Sequence, residues 1–348
     1  MNNELGIVSF LEKAKHLPVI DVRSPGEFDY GHIPNAINVP LFNNEERAKV
    51  GTLYKQSGKE RAIEEGYKIV NPKLEHFIKE SKRVANSNEV LVHCWRGGMR
   101  SANFASHLNQ NGIKSSVLEK GYKTYRNHVL DFFSTPVILL VLGGETGSGK
   151  TEILKHLSEA GEQVIDLEKL AHHKGSSFGA LGETKQPTVE QFENNLFEEW
   201  RKLDFSKRIW VEDEAKSIGR VFLPNNLWEK MKTASIIRIK IPKEERVKKL
   251  VQDYGNFPIE DLEAAVVRIE KRLGGESFKN ALEALKKNNL SKVAELTLYY
   301  YDKAYNYNHE KIKFENVHFV EAKTTEAKEN SALLLNFANK KFNSLQKI

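Results

Sequence analysis

The chain's single cysteine sits in the stretch His93-Cys94-Trp95-Arg96-Gly97-Gly98-Met99-Arg100-Ser101. This stretch leaves the apolar run Val90 to His93, a strand by composition. It enters Ser101 to Asn109, where Ala102, Phe104, Ala105 and Leu108 form one face of a helix. A loop ending on a helix N-terminus turns its amides toward whatever the sulfur carries, and the helix dipole favours negative charge there. Arg96 and Arg100 add two fixed positive charges, so Cys94 reads as a thiolate nucleophile able to sit beside an oxyanion. The alternative is a small buried core residue, which fits poorly with two arginines and two glycines so close behind it.

A second chemical signal is Gly144-Glu145-Thr146-Gly147-Ser148-Gly149-Lys150-Thr151, which fits G-x4-G-K-T without a gap. It follows the aliphatic run Val137 to Leu142 and precedes the helix-compatible Glu152 to Leu157. Glycines let backbone amides wrap a phosphate, Lys150 bridges the outer phosphates, and the Thr151 hydroxyl can hold a magnesium ion. Glu212-Asp213-Glu214 follows the apolar Ile209-Trp210-Val211 and offers a carboxylate to such an ion, directly or through water, or else is a solvated acidic turn. Between them Asp166-Leu167-Glu168 leads into a polar, glycine-rich loop reaching Gly179, where Lys174 is a candidate substrate or phosphate contact. His172 and His173 lack the neighbours of a complete metal site, and no metal ligand set is assigned. Lys216, Arg220 and Arg246 are candidates for phosphate or RNA contacts, against the reading of exposed solubilising charge. Tyr299-Tyr300-Tyr301, Tyr305 and Tyr307 can stack bases or pack in a core.

The elements that must position these residues fall into two α/β sets. The first has strands near Leu17 to Val22, Val90 to His93 and Ser115 to Leu118. The second opens after Pro136, with strands near Val137 to Leu142, Val164-Ile165, Ile209 to Val211, Ile236 to Ile241 and Val317 to Val320. Helical segments between the strands predict mostly parallel sheets covered on both faces, and Ile259 to Tyr307 reads as all-helical. The predicted domains are therefore 1–131 and 132–348, the second with a helical region at about 255–310. A length of 348 residues suits two domains. One cysteine excludes an internal disulfide framework, a multi-cysteine zinc site and a cysteine-ligated cluster. No run approaches the roughly 20 apolar residues of a membrane span, and MNNELGIVSF has no secretory pattern, so a reducing cytoplasm is the expected home. Residues 1–220 hold 30 basic and 30 acidic side chains and residues 221–348 hold 23 and 17, so the whole net charge of +6 lies in the last third. That bias suits a surface that meets polyphosphate or nucleic acid, and equally a merely soluble helical domain.

Asp21-Val22-Arg23, Glu27-Phe28 and Gly31-His32-Ile33-Pro34-Asn35-Ala36-Ile37-Asn38 resemble the opening of a rhodanese domain, whose cysteine carries sulfur or selenium. In that setting Asp21 organises the loop, and Gly31 and Pro34 shape a turn. The Cys94 loop also satisfies Cys-x5-Arg, the pattern of cysteine-dependent phosphatases, so phosphatase chemistry competes on this motif alone. A rhodanese-like loop joined to a phosphate loop is a narrower signal, and from Val19 to at least Gly275 the chain resembles the bacterial tRNA 2-selenouridine synthase family. The resemblance rests on Val50-Gly51-Thr52-Leu53-Tyr54-Lys55, His93 to Gly98, the phosphate loop, Asp166-Leu167-Glu168 with Gly175 to Gly179, Gln186-Pro187-Thr188, and Glu212-Asp213-Glu214 with Ile218-Gly219. Leu273-Gly274-Gly275 and Tyr300-Tyr301-Asp302 add less specific support. Lys174 departs from the arginine expected there, and a lysine cannot reproduce a bidentate clamp.

The resemblance implies replacement of sulfur by selenium in wobble 2-thiouridine of tRNA. Selenophosphate, supplied by a selenophosphate-producing enzyme, is the donor, and S-geranylation from geranyl diphosphate comes first. Catalytic roles then fall to Cys94, Arg96 and Arg100. Diphosphate binding falls to Gly144, Thr146, Gly147, Ser148, Gly149, Lys150 and Thr151. Asp166, Glu168, Lys174, Glu212, Asp213, Glu214 and Arg220 are the substrate- or magnesium-linked set. No tightly bound cofactor and no membrane partner is expected. The competing readings are an NTP-dependent kinase or sulfurtransferase, and a tRNA-binding protein with a vestigial rhodanese domain.

Overall fold

The computed structural model describes residues 3–85, 87–312 and 316–342; positions 343–348 of the expected second domain lie outside the described residues. The chain divides into two compact units, Met1–Phe132 with Glu193–Glu198, and Phe133–Phe192 with Glu199–Ile348. No shift in composition announces that six residues of the later stretch group with the first unit.

The first unit is built on strands β1 (Asn3–Leu5), β2 (Val19–Asp21), β3 (Ile37–Asn38), β4 (Glu89–His93) and β5 (Lys114–Leu118), in the order β1-β5-β4-β2-β3. Every pairing is parallel. Val19, Ile20, Leu91 and Val92 are buried, as the central strands of a parallel sheet covered on both faces require. The helices are α1 (Ile7–Lys13), α2 (Pro25–Tyr30), α3 (Asn44–Ser57), α4 (Lys59–Val70), α5 (Leu74–Val84), α6 (Met99–Gln110) and α7 (Gly121–Phe132). Phe104, Ala105 and Leu108 turn one face of α6 into the core, which fixes the helix whose N-terminus closes the cysteine loop.

The second unit has its own five-stranded parallel sheet, ordered β12-β11-β6-β8-β7. Its strands are β6 (Ile138–Gly144), β7 (Gln163–Ile165), β8 (Arg208–Glu212), β11 (Ser235–Lys240) and β12 (Val317–Glu321); β9 (Ser217–Ile218) and β10 (Val221–Phe222) form a separate short hairpin. The near-continuous aliphatic run of β6 is buried at the centre, as its composition predicts. Around it run α8 (Lys150–Glu159), α9 (Leu167–Ala171), α11 (Asn225–Thr233), α12 (Lys243–Tyr254) and α17 (Ala327–Phe342); α10 (Val189–Trp200) holds the six residues that group with the first unit. Ile153, Leu154 and Leu157 of α8 and Leu334, Ala338 and Phe342 of α17 share one core with Leu140, Leu142, Trp210 and Ile237 of the sheet.

The all-helical segment consists of α13 (Ile259–Val267), α14 (Glu270–Leu273), α15 (Gly275–Lys286) and α16 (Leu290–Ile312). It has a small core of its own, in which Leu262, Val266, Ala281, Leu285 and Val293 pack with Leu181. The architecture is thus α/β in both units with a helical addition in the second, as the strand and helix pattern predicts. Among the described residues no helix is long and apolar enough to cross a membrane.

Candidate active sites

The cysteine loop connects β4 to α6, and its shape depends on backbone packing. Gly97 and Gly121 both have left-handed backbones, with φ of 58° and 62°. They stand so close that a Cβ at Gly97 would lie 2.5 Å from Lys120 N, and one at Gly121 2.4 Å from Cys94 O. Only glycine meets both demands. The N–H groups of Tyr122 and Lys123 donate to Cys94 O and Trp95 O at 2.8 and 3.0 Å and fasten the loop to the start of α7.

Cys94 is buried, with Sγ 3.2 Å from Ser101 Oγ. Burial raises the thiol's pKa. The Ser101 hydroxyl, the Arg100 charge and the N–H groups of Gly98 and Ser101 outweigh it, and the net effect lowers the pKa. The two arginines differ in setting. Arg100 lies 3.5 Å from Glu27 Oε2, whereas Arg96 is exposed. Ser101, outside the expected catalytic set, is the side chain that hydrogen-bonds the sulfur; its place on the first turn of α6 was the available signal.

Beneath the loop, Arg23 donates to Asp21 at 2.6 Å and to Gly31 O at 2.7 Å, and its guanidinium lies 3.8 Å from the Tyr122 ring centroid. His93 is fully buried beside this pair, and burial pushes its pKa from 6.5 down to about 4. An unfolded chain therefore protonates His93 near pH 6.5 while the folded one resists until near 4. Stability from this group is complete above about 6.5 and declines by roughly 3 kcal/mol as pH falls to about 4. Urea unfolding followed in the first unit should show its midpoint dropping between pH 7 and 5, with a shallower drop in His93→Leu. Equal slopes in the two proteins would contradict a neutral buried imidazole.

The phosphate loop runs from the end of β6 into α8, with Gly147 and Gly149 left-handed at φ of 82° and 72°. Lys150 Nζ donates to Gly144 O at 3.0 Å, curled over the loop that it would leave for a bound phosphate. Ser148 is buried within the loop. Arg246, read from the sequence as a phosphate or RNA contact, has another position. It is buried at 3% exposure and gives two hydrogen bonds to Asp302, at 2.8 and 2.9 Å. It also gives one to Thr146 O at 3.2 Å and pairs with Glu145 at 3.0 Å. The charge therefore braces the loop from behind. Tyr305 is also placed here rather than as a free stacking surface: its hydroxyl accepts from Gly144 N at 2.9 Å and donates to Asp213 at 2.8 Å. Tyr301 accepts from Ser177 N, Tyr300 packs on the helical core, and Tyr299 and Tyr307 are exposed.

The three adjacent acids have three different settings. Glu212 is buried and accepts from Leu167 N at 3.0 Å at the start of α9, where Asp166 also caps the helix through Lys169 N at 2.7 Å. Asp213 is held by Tyr305. Glu214 faces Glu168, and burial followed by that neighbour's charge raises its carboxyl pKa well above the ordinary value. Glu168 in turn accepts from the Thr151 hydroxyl at 3.0 Å. A Cβ at Gly175, whose φ is 68°, would lie 2.7 Å from Glu214 Oε2, so that glycine leaves space for the carboxylate.

Lys174 pairs with Glu183 at 3.6 Å and lies 5.8 Å from the Tyr254 ring centroid. Arg220 and Lys216 are exposed. Gln186 joins three segments: it donates to Ala171 O and Ile218 O and accepts from Arg220 N. His172 Nδ1 lies 2.9 Å from Thr184 Oγ1 and 3.1 Å from Lys185 O. Among the described residues no group of three or more His, Cys, Asp or Glu side chains is arranged to hold a metal ion.

Beside the phosphate loop lies a cavity that is about half open to solvent. Thr146, Ser176 and Thr297 line it together with the aliphatic Leu250, Val251, Leu262 and Val293. Nothing in the phosphate motif itself foretells this cavity, because its walls come from α12, α13 and α16.

The glycine-rich loop of one α/β unit and the cysteine loop of the other are two candidate sites, and comparison with known proteins matches each unit to a domain family. Residues 8–128 match the rhodanese-like domain family, and residues 137–257 match the tRNA 2-selenouridine synthase AAA domain. Over 329 residues the chain is 38% identical to the tRNA 2-selenouridine synthase of Sulfurovum sp. (strain NBC37-1), spanning 84% of this chain and 89% of that one. It is 40% identical over 259 residues to the protein of the same name from Proteus mirabilis (strain HI4320), spanning 69% of this chain and 67% of that one. With the Nitrosomonas europaea synthase it shares 38% identity over 251 residues, spanning 68% of this chain and 63% of that one. The chain belongs to the tRNA 2-selenouridine synthase family.

Proposed function

We propose that this protein is a cytoplasmic transferase that exchanges sulfur for selenium in wobble 2-thiouridine of tRNA. In this reading the sulfur is first S-geranylated from geranyl diphosphate and then displaced with selenium from selenophosphate, which a selenophosphate-producing enzyme supplies. The observation that carries the reading is the mainly apolar cavity that Thr146 of the phosphate loop helps to line. A phosphate loop beside an apolar cavity suits a diphosphate with a hydrocarbon tail; a nucleotide would bring a polar base and ribose to the same walls.

In the first step the amides of residues 147–151 and Lys150 hold the diphosphate. The thiouridine sulfur attacks the allylic carbon, the carbon–oxygen bond breaks, and diphosphate leaves as the base loses its N3 proton. Charge growing on the departing oxygens falls to Lys150 and the loop amides. Thr151 and Glu168 fit a magnesium ion, an oxygen-only pair of the kind that leaves further positions to phosphate and water. Such an ion would neutralise the leaving diphosphate. Arg246 holds the loop in shape for this step.

In the second step selenium bonds to C2 as the geranyl thiol leaves, and hydrolysis of the selenium–phosphorus bond releases phosphate. The Cys94 loop handles this donor, with the N–H groups of Gly98 and Ser101 turned to the sulfur and the Arg100 charge close by. The basic last third of the chain supplies charge toward the tRNA backbone.

Equilibrium binding of labelled geranyl diphosphate tests the first site. Binding should need Lys150 and should resist excess ATP. Displacement by ATP at equal concentration, with ATP turnover, would favour the kinase-like reading.

A further inference from the structure

We infer that Arg47 is a second cation of the cysteine site, binding with Arg100 the oxygens of the tetrahedral phosphorus anion that donates selenium. The inference rests on the selenophosphate reading above and adds a binding residue from outside the Cys94 loop. Arg47 lies on α3, one turn before Gly51 of the stretch Val50-Gly51-Thr52-Leu53-Tyr54-Lys55, to which neither chemical loop gives a task. The start of α3 is docked on the start of α2, where Gly26 N donates to Asn44 Oδ1 at 2.8 Å. Glu46 N donates to Asn43 Oδ1 and Asn43 N to Glu46 Oε2, both at 2.8 Å, a capping box that fixes the first turn of α3. From there Arg47 Nε reaches Glu27 Oε1 at 3.4 Å, and Arg100 Nη1 reaches Oε2 of the same carboxylate at 3.5 Å.

Glu27 also accepts from the N–H and the hydroxyl of Ser24 at 3.1 and 3.3 Å, so α2 itself sets where the carboxylate stands. One carboxylate against two guanidinium groups leaves a positive charge over. Among the described residues neither arginine has a further hydrogen bond or ion pair, and both are only partly buried. Their remaining N–H groups are therefore open to a ligand. Arg100 is also the charge that acts on the Cys94 thiol, which puts the pair beside the sulfur. Gly51 is an independent sign. A glycine inside a helix costs stability relative to alanine, and Gly51 lies in the interior of α3. A Cβ there would lie 2.7 Å from Arg47 Nη1, so the missing side chain makes room for the guanidinium along the helix. Guanidinium forks match the oxygens of phosphorus oxyanions, and two of them fix such a group in one orientation.

Steady-state selenation of S-geranyl-2-thiouridine tRNA with selenophosphate varied tests this, reading KM, which does not depend on the fraction of enzyme that is folded. Arg47→Met should raise KM for selenophosphate roughly 10- to 100-fold, the usual result of deleting a charge-assisted hydrogen bond, with kcat near parental. Arg47→Lys should recover part of that loss. Gly51→Ala keeps every charge and favours the helix, so it should raise KM severalfold while the melting temperature stays at or above parental. A parental KM in Arg47→Met, with kcat or melting temperature lowered or not, would overturn the inference and leave the proposed function standing. No selenouridine from the parent protein would overturn the proposed function. The anion site is then judged by calorimetric titration of inorganic thiophosphate into Lys150→Ala protein, which silences the phosphate loop. Binding weakened about tenfold or more by adding Arg47→Met supports the site, and equal or absent binding overturns it.

Discussion

Replacing Arg246 with methionine should abolish diphosphate binding and destabilise the second unit by about 3–5 kcal/mol, the range for removing one partner of a buried ion pair. Methionine keeps most of the side chain's volume and removes the charge, so packing loss contributes little. Asp302 and Glu145 then lose the cation that neutralises them, and Thr146 O loses its donor. The phosphate loop loses its rear support even though every residue of its motif remains. Arg246→Lys restores charge without the two-point geometry and should recover stability better than affinity. Urea unfolding followed in the second unit, with calorimetric titration of geranyl diphosphate, checks both effects. A methionine variant with parental stability and affinity would show that the brace is dispensable.

A second large effect concerns the division of labour between the two loops. Lys150→Ala should lower geranyl transfer by roughly 100- to 1,000-fold, the cost of losing one well-placed group from an anion site. Cys94→Ala should leave geranyl transfer near parental and lower selenium incorporation by a comparable factor, so S-geranyl nucleoside accumulates. The Cys94 loop is built to hold a thiolate, and the side chain that hydrogen-bonds its sulfur, Ser101, has no part in the phosphate loop. Nucleoside analysis of tRNA treated with each variant separates the steps. Equal loss of geranyl transfer in both variants would contradict two separate centres.

The two chemical loops were legible in the sequence because each is local: strand, turn and helix lie within about twenty residues, and the turn chemistry is written in consecutive positions. The strands that carry them were legible for the same reason, β6 through its unbroken aliphatic run and α6 through its apolar spacing. What escaped was built from distant segments. Arg246 and Asp302 are 56 residues apart, and Tyr305 and Asp213 are 92 apart, so no local pattern marks either pair. A lone arginine after a strand looks the same on paper whether it faces a phosphate or braces a loop from within.

The acidic triplet was visible as a cluster but not as three roles. Side chains alternate at a strand end, sending Glu212 and Glu214 toward Asp166 and Glu168 and Asp213 toward Tyr305. The apolar cavity was beyond sequence reading altogether, since its lining draws on Thr146, the Ser176 loop, α12, α13 and α16.

The central claim is tested most directly by mass analysis of nucleosides from 2-thiouridine tRNA after incubation with the protein, giving geranyl diphosphate and selenophosphate first singly and then together. The account predicts S-geranyl-2-thiouridine with the first substrate and 2-selenouridine only when both have been supplied. Unmodified 2-thiouridine under every condition, with ATP consumed instead, would contradict it.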